Sequence, residues 1–173
     1  IIKHNNACGF ASTKTLEESW DKALSSDPVS AFGSVIACNV NIDGATAKKI
    51  SSLFFEVIIA PEFSDDAMEI FKSKKNRIIL ESQSSIFPET IVRSSLNGLL
   101  FQTRDNHRDS HGDIKVVTKR SPTKKEIDDL LLASAICKHT KSNTIVLAKN
   151  QQLISSGTGQ TSRVDALNQA IHK

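Results

Sequence analysis

The chain has 173 residues, 39% of them hydrophobic and 24% charged, enough for one well-buried domain and unlike a disordered or repetitive polypeptide. A net charge of +3, from 22 basic and 19 acidic residues, is too mild for the basic stripe that marks nucleic acid as the main partner, though it suits a small anionic ligand. No apolar run approaches the ~20 residues that cross a bilayer, no secretory leader opens the chain, and Cys8, Cys38 and Cys137 lack a C-x-x-C spacing, as free thiols in a reducing compartment would.

The opening IIKHNNACGF reads as a strand already under way at Ile1 that runs into short polar groups. Thr15 and Glu18 form a capping-box pattern, and Leu16, Trp20, Ala23 and Leu24 then share one face, which predicts a helix over 16–25. Asp27-Pro28 stops it, and SVIAC at 34–38 reads as a buried strand. Asp43 caps a second helix over 44–54, and EVIIA at 56–60 reads as a strand. Ser64 with Asp65 and Asp66 opens a third helix, followed by a strand over 77–80. The segment 82–112 is less regular, with one strand expected at 98–103 and a polar, solvated loop over 104–113. Thr123 and Glu126 form a second capping box that starts the longest helix, to 138. Paired strands follow at 143–149 and 153–156, then a Gly-rich turn at 157–160 and a last helix opened by Ser162. Alternating elements with short connections predict a single three-layer α/β/α domain with a mixed sheet. Both ends read as cuts in a longer polypeptide.

Four places could carry chemistry. In Lys3-His4-Asn5, His4 is the side chain most easily tuned for proton transfer, and Lys3 could favour its neutral form or stabilise a negative oxygen. Successive strand residues face opposite ways, so the two converge only if the strand breaks there; a plain polar turn is the competing reading. Phe32, in DPVSAFG, could stack on a heterocycle, but read alone it is expected to anchor its loop in the core. Asn143, at the start of a strand, has an amide suited to a substrate, beside a basic helix end that complements the dipole. Gly157 to Arg163 is a Gly-rich turn leading into a helix, a weak anion-site pattern that lacks the G-K-[ST] of a P-loop. Of the five histidines only His107 and His111 lie close, at the i, i+4 spacing of a helical metal site, but Gly112 and the charge run argue against a helix there, and the zinc-deaminase and G-x-S-x-G signatures are absent.

Seven blocks in order, IIKHNNACG, DPVSAFGSVIACN, FFEVIIAPEF, KKNRIIL, VVTKRSPT, CKHTKSNTIVLAKN and GTGQTSRVDAL, resemble the transformylase part of the bifunctional AICAR formyltransferase/IMP cyclohydrolase family of purine biosynthesis. The resemblance implies a zinc-free cytidine-deaminase-like α/β unit, the first of two, from a cytoplasmic homodimer whose other domain is an IMP cyclohydrolase. It implies formyl transfer from the cosubstrate 10-formyltetrahydrofolate to the amine of aminoimidazole carboxamide ribonucleotide (AICAR), with no metal, nucleic acid or membrane. It places catalytic residues at Lys3, His4 and Asn143. Substrate contacts fall at Asn5, Phe32, Glu56, Gly159, Gln160 and Arg163. The chain departs from the family pattern at Ala7, usually Pro, and at Ser34, often a second Gly. The alternative is a truncated module that binds the nucleotide without transforming it.

Overall fold

The structure, a computed structural model, describes residues 1–83 and 86–173. Strands β1 (Ile2–Lys3) and β2 (Asn6–Ala7) form a hairpin, with Lys3 opposite Asn6 and Ile2 opposite Ala7. His4 and Asn5 are its two turn residues, at φ 51° and 63°. Two successive left-handed residues give the primed turn whose twist matches the flanking strands. The opening strand therefore does break, directly after Lys3.

Strand β1 pairs antiparallel with β3 (Ser34–Ala37), which runs parallel to β4 (Phe55–Ala60), itself parallel to β5 (Ile78–Glu81). The result is a five-stranded mixed sheet in the order β2-β1-β3-β4-β5. This is the α/β class with a mixed sheet that the sequence predicts. Ser34 pairs with Phe55 but Val35 pairs with Val57, so Glu56 is an extra residue on β4. Such a bulge bends the strand and re-aims the side chain.

The expected caps are in place. Thr15, Asp43, Ser64, Thr123 and Ser162 each accept a hydrogen bond from the backbone N–H three residues on. They start α1 (Leu16–Ser26), α2 (Gly44–Ser51), α3 (Asp65–Lys72), α4 (Lys124–Lys138) and α5 (Arg163–His172). Of these five caps, that of Thr123 closes the reciprocal box with Glu126; Glu18 turns instead to Lys22 at 2.8 Å. Helix α2 ends at Ser51, not at Phe54 as predicted. Arg77 donates to the carbonyls of Ser51 and Leu53 at 3.0 and 3.2 Å, which holds the chain out of the helix and turns it into β4.

Trp20 from α1, Ala47 and Ile50 from α2, and Ala67 and Phe71 from α3 pack with Ile36, Phe55, Ile58 and Ala60 of the sheet. Phe71 meets Phe55 and Phe63 edge-on, with centroids 5.4 and 6.0 Å apart. Each such aromatic removed from water stabilises the fold by roughly 1.5–3 kcal/mol. The opposite face of β4 and β5 is less covered: Val57 and Ile59 are half-buried, and Ile78 and Leu80 are exposed.

The strand expected at 98–103 is present as β7 (Gly98–Thr103), but it pairs with a strand that the sequence reading missed, β6 (Thr90–Ser95). The irregular segment predicted over 82–112 includes Ser84 and Ser85, which lie outside the described residues. The polar loop after β7 is exposed as expected, yet it is tied to α4. Lys138 reaches the Asp105 carboxylate at 3.2 Å, and His111 meets Asp128 at 2.9 Å.

Strands β8 (Ile145–Lys149) and β9 (Gln152–Gly157) form the last hairpin, with α4 against β8 and α5 against β9. Its turn amides, Asn150 and Gln151, donate to the Asp129 carboxylate at 2.8 and 2.7 Å. The hairpin is fastened to the stretch after β2. Ala11 bridges Gln152, Ser12 N donates to Gln151 O at 2.9 Å, and Leu153 N donates to Phe10 O at 2.9 Å. This fastening brings residues near position 143 back to the opening hairpin.

Candidate active site

Gly33 is the centre of one cluster. It sits at φ 68°, and a Cβ there would lie 3.2 Å from Lys3 Nζ, 3.7 Å from Phe54 Cε1 and 3.9 Å from Glu56 Oε1. Lys3, Phe54 and Glu56 therefore converge on one point at the amino end of β3. Lys3 Nζ donates to the Phe32 and Gly33 carbonyls at 2.5 and 3.1 Å. An ammonium has three donors, so one N–H of Lys3 remains for another acceptor. The 27–33 loop is shaped from within, by Ser30 N donating to Asp27 Oδ1 at 2.9 Å, and Gly33 N donates to Phe54 O at 2.8 Å.

Phe32 corrects the expectation from its sequence alone. It is not a core anchor; it is 62% exposed, and its ring lies 5.1 Å from that of Phe54. Phe54 is itself 43% exposed. The pair is an open aromatic platform beside the free donor of Lys3.

Asn143 stands in a second cluster. Its backbone exchanges hydrogen bonds with Gln160, at 3.2 Å for N to O and 3.1 Å for O to N. Both N–H groups of its side-chain amide are spent, on Gln160 O and Thr161 O at 3.1 Å each. What the side chain still offers is its Oδ1 acceptor. Gly159, at φ 68°, donates to Lys141 O at 2.9 Å, and the Lys141 stem passes over it. The left-handed backbone at Gly159 allows that approach.

The two clusters are joined. Asn6 Oδ1 accepts from Lys141 N at 3.0 Å across 135 positions of sequence, while its Nδ2 donates to His4 O at 2.9 Å. Lys3 and Asn6 are cross-strand partners, so their side chains project to one face of the hairpin. His4 and Asn5 are exposed on the turn, and the His4 ring has no hydrogen-bond partner among the described residues.

The Gly-rich turn is a closed one. Thr158 N donates to Gln169 Oε1 at 2.7 Å, Gly159 N to Lys141 and Gln160 N to Asn143, so these amides do not form an open anion cradle. The Gln160 side chain is also engaged, with Thr158 O at 3.0 Å. Arg163, at the first position of α5, is exposed. Among the described residues no group of three or more His, Cys, Asp or Glu side chains could hold a metal ion.

Sequence reading missed Asn6 and Phe54. Phe54 was hidden by the apolar pattern that extended α2 past its true end. Asn6 could have been found from the polar pair Lys3 and Asn6 flanking a two-residue turn.

A mixed α/β scaffold thus gathers a lysine, an aromatic pair and a carboxylate around Gly33, and Asn6 ties the opening hairpin to the segment of Asn143. The family model described as AICARFT/IMPCHase bienzyme matches residues 1–173, and the chain belongs to that family. Three relatives are each named bifunctional purine biosynthesis protein PurH. That of Bacteroides thetaiotaomicron is 54% identical over 173 residues, 100% of this chain and 34% of the relative. That of Parvibaculum lavamentivorans is 48% identical over 176 residues, 100% of this chain and 33% of its own length. That of Aquifex aeolicus is 43% identical, again over 100% of this chain and 34% of the relative. The chain thus spans about a third of the length of the relatives it matches.

Proposed function

We propose that this chain carries part of the transformylase site of a purine-biosynthesis bienzyme, as one α/β unit of a longer, cytoplasmic, homodimeric protein. The reaction is formyl transfer from 10-formyltetrahydrofolate to the amine of AICAR. The observation that carries the reading is the meeting of Lys3, Phe54 and Glu56 around Gly33, with the Phe32 ring packed beside Phe54, tied through Asn6 to the segment that holds Asn143.

In this reading the amine nitrogen of AICAR attacks the formyl carbon, and His4 takes the amine proton as the new C–N bond forms. The free N–H of Lys3 donates to the oxyanion on that carbon. The bond from the formyl carbon to the folate nitrogen then breaks, and the proton held by His4 passes to that leaving nitrogen. Asn143 acts as an acceptor, through Oδ1, for an N–H of the substrate, because its own donors are engaged. The exposed faces of Phe32 and Phe54 pack on the imidazole ring. Glu56 and Asn5 offer polar contacts to the substrate, and Arg163 suits its phosphate. Gly159 and Gln160 act by holding Asn143 in place. Such an amine is a weak nucleophile, so positioning carries much of the rate.

That the chain spans about a third of its relatives favours a second reading, in which it binds AICAR but transforms nothing alone. Calorimetry with AICAR on the chain, and formyl-transfer assays on a chimera, separate the two. In the chimera these 173 residues replace the matching segment of the Bacteroides relative. Turnover by the chimera is the expected result; binding by the chain with an inactive chimera would favour the second reading.

A further inference from the structure

We propose that Asn6 is a positioning residue that sets His4 against Asn143, an inference that rests on the transformylase reading above. His4 and Asn5 both hold left-handed backbone, which is unfavourable for non-glycine residues and persists where the surroundings impose it. Asn6 is the side chain that ties this turn to the 141 segment. Its Nδ2 donates to His4 O at 2.9 Å, and its Oδ1 accepts from Lys141 N at 3.0 Å. The neighbours fix the orientation of the amide, since a carbonyl requires the nitrogen and an N–H requires the oxygen. Two residues beyond Lys141 stands Asn143, itself locked to Gln160 and Thr161. A rigid path therefore runs from the His4 peptide through one planar amide to the segment bearing Asn143. Asparagine is the fitting residue, because a carboxylate of the same shape keeps the acceptor but loses the donor, and alanine loses both.

The test uses the chimera with the Bacteroides relative and compares Asn6→Ala and Asn6→Asp with the parent. Misplacing a general base by about 1 Å costs on the order of 10²-fold in rate. Asn6→Ala should lower kcat by roughly 10–100-fold while KM for AICAR changes little. Asn6→Asp should also lower kcat, since it keeps the acceptor for Lys141 N but loses the donor to His4 O. A purely structural role would disturb AICAR binding as well and raise KM. Unchanged kcat in both variants would overturn the inference. NMR on the 173-residue chain separates this failure from failure of the transformylase reading. Asn6→Ala should shift the His4 ring signals and expose the Lys141 amide to exchange. If those changes occur while the parent chimera is inactive, the coupling stands and the assigned reaction falls. If neither signal responds, Asn6 couples nothing.

Discussion

Ser34 is fully buried where β3 begins, and its hydroxyl has no hydrogen-bond partner among the described residues. Burying an unsatisfied polar group costs about 1–3 kcal/mol. Ser34→Ala should therefore stabilise the chain by about 1 kcal/mol, read as a higher urea midpoint at unchanged slope. A lower midpoint would mean that the hydroxyl finds a partner in solution. Single residues were legible in the sequence where their chemistry is local. His4 and Asn143 stood out as polar groups beside apolar strands. Phe32 was misjudged because exposure depends on what neighbours it, and its neighbour Phe54 was hidden at the end of a helix that was drawn too long. The bond from Asn6 to Lys141 spans 135 positions, and no local pattern announces it.

Helices and hairpins show what fixes each element. All five helix caps were readable because a cap is a contact between residues three apart. Strand β6 was not, since Thr90–Ser95 is mostly exposed and carries no clear alternation. Packing between elements sets the next constraint. A Cβ at Gly157 would fall 1.8 Å from Ala166 O, so α5 lies directly on the backbone of β9. Gly157→Ala must push the helix away and should cost at least 1–3 kcal/mol. The measurement is the thermal midpoint; an unchanged value would contradict the close approach. Helix α4 gives a pH dependence. Arg120 and then the Thr123 amide hold the Glu126 carboxyl down at about 2, from a reference of 4.5. A depressed carboxylate stabilises the folded state fully above its unfolded value and loses that contribution as pH falls. The first turn of α4 should thus loosen between about pH 4.5 and 2, followed as faster amide exchange at Ile127, whose N–H donates to Thr123 O. Exchange at Ile127 that does not accelerate on acidification would contradict it.

At the scale of the molecule, the candidate site lies where three distant stretches meet: the opening hairpin, the β3–β4 edge and the 141–161 region. Alternation of strands and helices made the α/β class legible, since periodicity is a property of each segment. The meeting of the stretches was not, because it depends on β9 pairing back to Ala11. The seven sequence blocks named the family before the geometry could, and the geometry then showed which block touches which. The central claim is that His4, on the turn this arrangement exposes, is the general base. The direct measurement is the rate of formyl transfer from 10-formyltetrahydrofolate to AICAR in the chimera, with and without His4→Ala. Loss of a general base lowers the rate by roughly 10²–10⁴-fold, and the account predicts a fall in that range with AICAR binding retained. Equal rates in the two proteins would contradict it and would leave His4 an ordinary turn residue.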